Sequence, residues 1–178
     1  MDGNQTQLAH GFDINEIRRA AAHLDDGAVT DGYAANREAV VAMLNAALAT
    51  ELVCVLRYKR HYYTVSGPGN GQVKAEFLEH AQEEQMHADW LAERIVQLNG
   101  SPNFDPATLT ARSHAEYDAS EDVQAMVRAN LIAERVAIES YRQMIASIGD
   151  SDPTTKQLLI KIMADEEEHA DDMRDLMQ

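Results

Sequence analysis

His80-Ala-Gln-Glu-Glu-Gln-Met-His87-Ala-Asp-Trp-Leu-Ala-Glu-Arg-Ile95 is the stretch on which the reading of this chain turns. Inside it, Glu84 and His87 stand three residues apart, a spacing that on a helix puts both side chains on one face, a turn apart. The pattern returns near the C-terminus as Glu166-Glu-Glu-His169. The copies align further, Glu83-Glu84-Gln-Met-His87-Ala-Asp89 against Asp165-Glu166-Glu-Glu-His169-Ala-Asp171. One Glu-x-x-His on an acidic helix means little. Two in matching contexts, on separate predicted helices, point to two sets of metal ligands facing each other.

The rest of the chain supplies the frame. Residues 1–12 read as a loose arm, and Asp13 to Leu24 as a short helix with Ile14, Ile17, Ala20, Ala21 and Leu24 at helical spacing. A polar stretch follows to Ala35, so residues 1–35 form an arm and 36–178 a bundle. The first long helix opens at Asn36, a good N-cap, and runs to about Val65 with Val40, Met43, Leu44, Ala47, Leu48 and Leu52 as its apolar stripe. Ser66-Gly-Pro-Gly-Asn-Gly71 makes a turn. The second runs from Gln72 to Leu98 and stops at Asn99-Gly100-Ser-Pro102. Residues 101–119 show little periodicity. Extended, they reach roughly 60 Å, more than the about 40 Å of a helix of about 27 residues, so they can cross the length of a bundle. The third helix starts near Ser120 and ends at Gly149. Asp152-Pro153 then caps and opens a fourth. No segment alternates like a strand. An all-α four-helix bundle with one long crossover is expected.

The first and third long helices also match. Glu51 and Glu134 each have a tyrosine seven residues later, Tyr58 and Tyr141, and each Glu precedes its Glu-x-x-His by a similar interval. The chain reads as two diverged helix pairs, each giving Glu and then Glu-x-x-His. Glu51 sits among Leu48, Leu52 and Leu56, a face that points inward. A buried, unpaired carboxylate is costly and normally stays protonated, and a divalent cation removes that cost. An isolated Glu there would read as a surface residue at the stripe edge; four spaced Glu and two His reverse that preference. Four carboxylates and two imidazoles suit two divalent ions. Mixed O and N donors without thiolate fit Fe or Mn better than Ca or structural Zn.

Composition sets the outer limits. The 178 residues are 45% hydrophobic, enough for a domain with a real core. The net charge of −15, from 30 acidic and 15 basic residues, argues against nucleic-acid binding and suits cations. Cys54 is the one cysteine, which excludes an intrachain disulfide and a Cys-based metal centre. The N-terminus lacks a signal-peptide pattern, and no apolar run looks long enough to span a bilayer. A cytoplasmic protein is the expectation.

At these residues the sequence resembles the ferritin superfamily, and bacterioferritin in particular, over about residues 36–177. The resemblance includes Glu93-Arg-Ile95, Leu98-Asn-Gly100-Ser-Pro102-Asn-Phe104 and Glu121-Asp-Val123. It implies that Glu51 and His87 bind one iron, Glu134 and His169 the other, and that Glu84 and Glu166 bridge. Tyr58 matches a tyrosine beside the bacterioferritin site. The haem-ligand methionine of bacterioferritin directly follows the bridging Glu of the second helix; that position is Gln85 here. Met86 lies about 100° round the helix, so haem is not expected. The chain ends nine residues after His169, without bacterioferritin's fifth helix, and carries some 35 extra N-terminal residues. These features are similar to Dps-like proteins with a bacterioferritin-type site, although many of those have a cysteine pair that is absent here. A homo-oligomer is implied, a dodecamer ahead of a 24-mer or a dimer.

The function implied is oxidation of Fe(II) to Fe(III) by O2 or H2O2 at a di-iron carboxylate site, for iron storage and detoxification, with Tyr58 either holding a ligand or supplying an electron. Mn or mixed Mn/Fe remains open. The rivals are a rubrerythrin-like peroxide reductase, for which no Cys-x-x-Cys module is present, and a DNA-coating shell, for which the N-terminal arm offers only Arg18 and Arg19 against Asp2, Asp13 and Glu16. Glu76, Glu79, Glu83 and Glu167 read as a solvated face, His80 as a surface histidine, and Arg57, Lys59, Arg60 and His61 as a subunit contact or solvated turn. Cys54 reads as a small buried residue and Trp90 as core or interface packing.

Overall fold

The structure of the protein, a computed structural model, describes residues 11–177. Its helices are α1 (Ile14–Ala20), α2 (Arg37–Thr64), α3 (Gly71–Gln97), α4 (Leu109–Arg112), α5 (Val123–Ile148) and α6 (Pro153–Asp175), with no strand among the described residues. Helix α2 packs along α3 and α5 along α6, and the two hairpins meet through α2 with α5 and α3 with α6. The bundle is the ferritin-like one, with α4 inside the crossover.

Side-chain oxygens satisfy the free N–H groups at three of the long helix starts. Asn36 Oδ1 accepts from Ala39 N at 3.1 Å, Asp122 Oδ2 from Ala125 N at 2.9 Å, and Asp152 Oδ1 from Thr155 N at 2.9 Å. Helix α5 therefore opens at Val123 rather than near Ser120, whose N–H is turned back to Asp118 Oδ1. Helix α3 ends where Asn99 takes φ 58° and Gly100 N–H reaches back to Ile95 O at 2.9 Å. Gly100 lies so close to α2 that a Cβ there would stand 2.7 and 2.9 Å from the Val41 methyls and 3.0 Å from Ile95 Cγ2. Gly100→Ala should therefore force the α2–α3 packing apart and cost about 1–3 kcal/mol, read as a lower urea midpoint at unchanged slope.

Four other segments differ from the sequence expectation. Helix α1 stops at Ala20, buries no residue, and leaves Ile17 and Leu24 exposed; its apolar spacing serves no core among the described residues. The stretch after it does the packing instead, with Val29, Tyr33 and Ala35 against the bundle and Tyr33 O–H donating to Asp152 Oδ2 at 2.8 Å. The first ten residues of the expected arm lie outside the described ones. The crossover is not structureless. Leu109 of α4 is buried against Ala49 and Val53, Asn103 N–H donates to Asn45 Oδ1 at 2.7 Å, Arg112 donates to Asn45 O at 3.1 Å, and His114 N–H donates to Thr50 Oγ1 at 2.9 Å. These bonds strap the crossover along α2. Covered on so many sides, α2 can be apolar nearly all round. By length and composition it is long enough to cross a bilayer, contrary to the expectation above, but more than half of that stretch is buried within the bundle.

The two larger parts of the core lie along the bundle. One gathers Leu44, Leu48, Leu91, Ile95, Tyr141, Leu159 and Ile162; the other Tyr58, Phe77, Ala81, Met126, Val127 and Met173. In each long helix, one stretch of polar residues lies between them.

Candidate metal centre

That stretch is Glu51 on α2, Glu84 and His87 on α3, Glu134 on α5, and Glu166 and His169 on α6. All six are between 0 and 3% exposed. They form two overlapping clusters: Glu51, Glu84, His87 and Glu166, and Glu84, Glu134, Glu166 and His169. Within each, the donor atoms lie inside 4.8 Å of one another. Glu84 and Glu166 belong to both. His87 Nδ1 stands 3.4 Å from Glu51 Oε2, 3.5 Å from Glu84 Oε2 and 3.0 Å from Glu166 Oε1. His169 Nδ1 stands 3.6 Å from Glu166 Oε2 and 4.0 Å from Glu84 Oε1.

The surrounding groups fix which atoms face inward, and they do so with twofold symmetry. Tyr58 O–H donates to Glu134 Oε1, and Tyr141 O–H donates to Glu51 Oε1. Each tyrosine thus serves the glutamate of the other helix pair. Seven residues is about 10 Å along a helix, too far for a tyrosine to reach its own glutamate. His87 Nε2 contacts Asp165 Oδ2 at 3.2 Å, and His169 Nε2 contacts Glu83 Oε2 at 2.8 Å. A carboxylate on Nε2 holds the ring so that Nδ1 presents its lone pair inward. What remains is a set of buried atoms with no hydrogen-bond partner: Glu51 Oε2, both oxygens of Glu84 and of Glu166, Glu134 Oε2, and the Nδ1 atoms of His87 and His169. Orphaned buried polar atoms are rare. A whole donor shell of them, converging from four helices, fits divalent metal ions.

Without an ion, protons hold the cluster together. Burial, and then the charges of Glu166, Glu51 and Glu134, push Glu84 well above the usual carboxyl range. Burial and Glu166 raise Glu134 to about 8. Burial disfavours charge on the imidazoles, but contacts with Glu166, Glu51 and Glu84 outweigh it at His87. Glu166 and Glu83 do the same at His169, lifting it to about 11. Glu166 stays ionised: burial would raise it, but His169 and His87 hold it far below its ordinary value.

Several residues differ from their expected settings. His80 is not a surface histidine: it is 1% exposed, with Nδ1 3.1 Å from the Tyr58 hydroxyl and its ring stacked on His169 at 4.1 Å. Burial, reinforced by the His169 charge, lowers its pKa to about 3. Glu83 does not lie idle on a solvated face but orients His169. Arg57 and His61 are buried, not a solvated turn: Arg57 bonds Asn130, and His61 meets Asn130 and Asp118. Tyr141 and Asp165 stood out in the sequence only as members of the repeat, with no role assigned, although the doubled Glu-to-Tyr spacing and the Glu83/Asp165 alignment carried the signal. Cys54 is buried beside Arg57 Nη2 at 3.4 Å, and Trp90 packs half-buried under Lys161.

Four long helices with a crossover, two supplying Glu and two supplying Glu-x-x-His, define the class of ferritin-like carboxylate bundles. The chain belongs to the ferritin-like family, whose ferritin-like domain it matches over residues 41–178. It is similar to the bacterioferritin of Brucella melitensis biotype 1, at 32% identity over 135 residues, 74% of this chain and 78% of that protein. It is also similar to the nutrient stress-induced DNA-binding protein of a Synechococcus species, at 29% over 130 residues, 71% of this chain and 74% of that one. Among solved structures, the bacterioferritin-related protein of Bacteroides fragilis, described as a dodecameric thioferritin, superposes with TM-score 0.76 at 32% identity, over 80% of this chain and 86% of that one. Dps from Thermosynechococcus elongatus gives 0.76 at 22% identity over 79% and 91%, a likeness of fold alone.

Proposed function

We propose that the protein is a ferroxidase, taking up two Fe(II) per chain as substrate and oxidising them to Fe(III) with O2 or H2O2, for iron storage and detoxification. The observation that carries this reading is the ring of orphaned buried atoms contributed by all six side chains. Glu51 and His87 hold one ion, Glu134 and His169 the other, and Glu84 and Glu166 bridge. Four carboxylates with two neutral imidazoles balance two divalent charges, and the same anionic shell favours the ferric state. Metal entry displaces protons from the imidazole Nδ1 atoms, from Glu84 and from Glu134. Tyr58 and Tyr141 keep one oxygen of each terminal glutamate turned away, so that only Oε2 faces the metal. With H2O2, each of two Fe(II) gives one electron and two protons are consumed, forming two waters. Mn in one or both positions is compatible with the same donors.

We further propose a homo-oligomeric shell in the cytoplasm, where Fe(II) is available, and a dodecamer as its size. Sizing combined with iron counting after aerobic Fe(II) loading tests the whole reading. Hundreds of iron ions per large particle supports storage. Two per chain in a small oligomer, with steady peroxide turnover, moves the protein to the rubrerythrin-like class. Orientation of the imidazoles gives a finer prediction: Asp165→Asn or Glu83→Gln should each weaken metal binding by about 10–100-fold, read by competitive Co(II) titration, while leaving the count of bound ions unchanged at saturation.

A further inference from the structure

We infer that a third divalent transition-metal ion binds outside the six-residue centre, in the cleft between α3 and α6, held by His80 Nε2, Glu76 and Asp172. The inference rests on these three side chains and stands whether or not the buried centre oxidises iron.

The hydrogen-bond chain fixes the state of His80. Tyr58 has one phenolic proton, and it goes to Glu134 Oε1. The Tyr58 oxygen can therefore only accept from His80 Nδ1, 3.1 Å away. A neutral imidazole protonated on Nδ1 carries its lone pair on Nε2. That atom makes no hydrogen bond; it points at Asp172 Oδ2, 3.4 Å away, and Glu76 Oε2, 3.9 Å away. A lone pair of a buried ring aimed into a cleft between two carboxylates, with no Lys or Arg lining it among the described residues, is an unfavourable arrangement that a cation converts into a favourable one. His80 is 1% exposed, pinned by Tyr58 on one edge and by the stacked His169 ring on its face, so it cannot turn away.

The dimensions and chemistry agree with this. Donors around an ion at roughly 2.1 Å stand about 3 to 4.2 Å apart, and the three candidate atoms fall within 4.8 Å of one another. The cleft has a volume of about 110 Å³, against the roughly 10–15 Å³ that one water needs, so waters can complete the coordination. Glu79 and Glu168 also line it and add negative field. One imidazole with two carboxylates selects Fe(II), Mn(II), Co(II) or Zn(II) over Ca(II), which prefers oxygen alone. Glu83 and His169 stand nearby, but their bond at 2.8 Å already commits both. An ion in the cleft is linked to the buried centre through His80, Tyr58 and Glu134.

Co(II) alone, counted by its d–d absorption in the assembled full-length protein, tests the site. Glu76 and Asp172 are partly exposed and do not touch the core, so the isosteric double variant E76Q/D172N is expected to fold as the wild type does. It should bind one Co(II) fewer per chain. E84Q, by contrast, should lose ions at the buried centre and keep the one in the cleft. Crystals soaked in Co(II) should show anomalous scattering beside His80 Nε2 in the wild type and none there in E76Q/D172N. Equal Co(II) counts in wild type and double variant, or no anomalous peak at His80 Nε2, overturns the inference. An E84Q count equal to wild type with a reduced E76Q/D172N count instead removes the buried-centre assignment and leaves the cleft site standing.

Discussion

Replacing Glu84 by Gln is expected to abolish rapid Fe(II) oxidation and, at the same time, to raise the melting temperature of the metal-free protein. Both effects come from one feature: Glu84 is fully buried and neither of its oxygens has a hydrogen-bond partner. Metal-free, the side chain is a liability, because burial and three neighbouring carboxylates oppose its ionisation. Gln keeps its shape, is neutral without having to take up a proton on folding, and offers an amide N–H₂ to the acidic neighbours. A carboxyl whose folded pKa lies above its unfolded one costs stability at neutral pH, about 1.4 kcal/mol per pH unit of the gap it spans, and each kcal/mol moves a domain of this size by about 2–4 °C. With metal the order inverts. Glu84 is proposed to bridge both ions, so its loss weakens both sites. Losing a group that merely orients a ligand already costs about 10–100-fold, and the oxidation rate should fall by roughly 100-fold or more. Wild-type protein at a free metal concentration 100 times its dissociation constant gains about 2.7 kcal/mol per site; the variant gains little. Calorimetry with and without Co(II), at fixed protein concentration, reads both signs. The pH profile supplies a further check. Glu134 binds its proton more tightly folded than unfolded, with a pKa near 8. The stability from that proton is full below about 4.5 and is lost as pH rises to about 8. Metal-free wild type should therefore weaken across this window, with Glu84 adding to the slope, and the slope should be shallower in Glu84→Gln. An unchanged oxidation rate in this variant removes the bridging assignment.

Periodicity and capping made most of the bundle legible. Asn36, Asp152 and Pro153 stop or start helices by local chemistry that does not depend on the rest of the chain, and the structure follows them. The crossover was visible as a length but not as a path, since its bonds to Asn45 and Thr50 join residues far apart in sequence. Helix α1 shows the converse: an apolar spacing with no partner to bury it among the described residues. Around the candidate site, the six donors could be named because the repeat doubled each signal. The groups behind them could not, because which tyrosine meets which glutamate depends on the antiparallel pairing of α2 with α5. His80, Arg57 and His61 were misplaced for a shared reason. Each is a polar residue buried by a partner on another helix, and composition alone assigns such residues to the surface.

Arg57→Met should be the most destabilising single change outside the metal centre, at about 3–5 kcal/mol. The guanidinium is 1% exposed and nearly fully committed. Its Nε donates to Asn130 Oδ1 at 2.8 Å, Nη1 donates to Glu116 O at 3.2 Å, and Nη2 lies 3.4 Å from Cys54 Sγ and 3.8 Å from Glu134 Oε1. Met fills much of the volume but leaves the Asn130 and Glu116 acceptors unpaired, and it removes the fixed positive charge nearest Glu134. Burial already drives Glu134 upward, and the Arg57 charge opposes that rise. Without it, Glu134 should take its proton more firmly and give it up less readily to a metal. Arg57→Lys keeps the charge but not the planar fork that reaches Asn130 and Glu116 together, so it should cost less than Met. Urea denaturation of R57M, E134Q and the pair at about pH 9, above the Glu134 pKa of about 8, where that carboxylate is ionised, decides whether the charge matters beyond the hydrogen bonds. If Arg57 acts as the counter-charge of Glu134, then once Glu134 is neutral the loss of Arg57 does less harm. The double variant should then be more stable than the sum of the singles by about 0.5–3 kcal/mol. Strict additivity would reduce Arg57 to a bridge between α2, α5 and the crossover, with no electrostatic part in the metal centre.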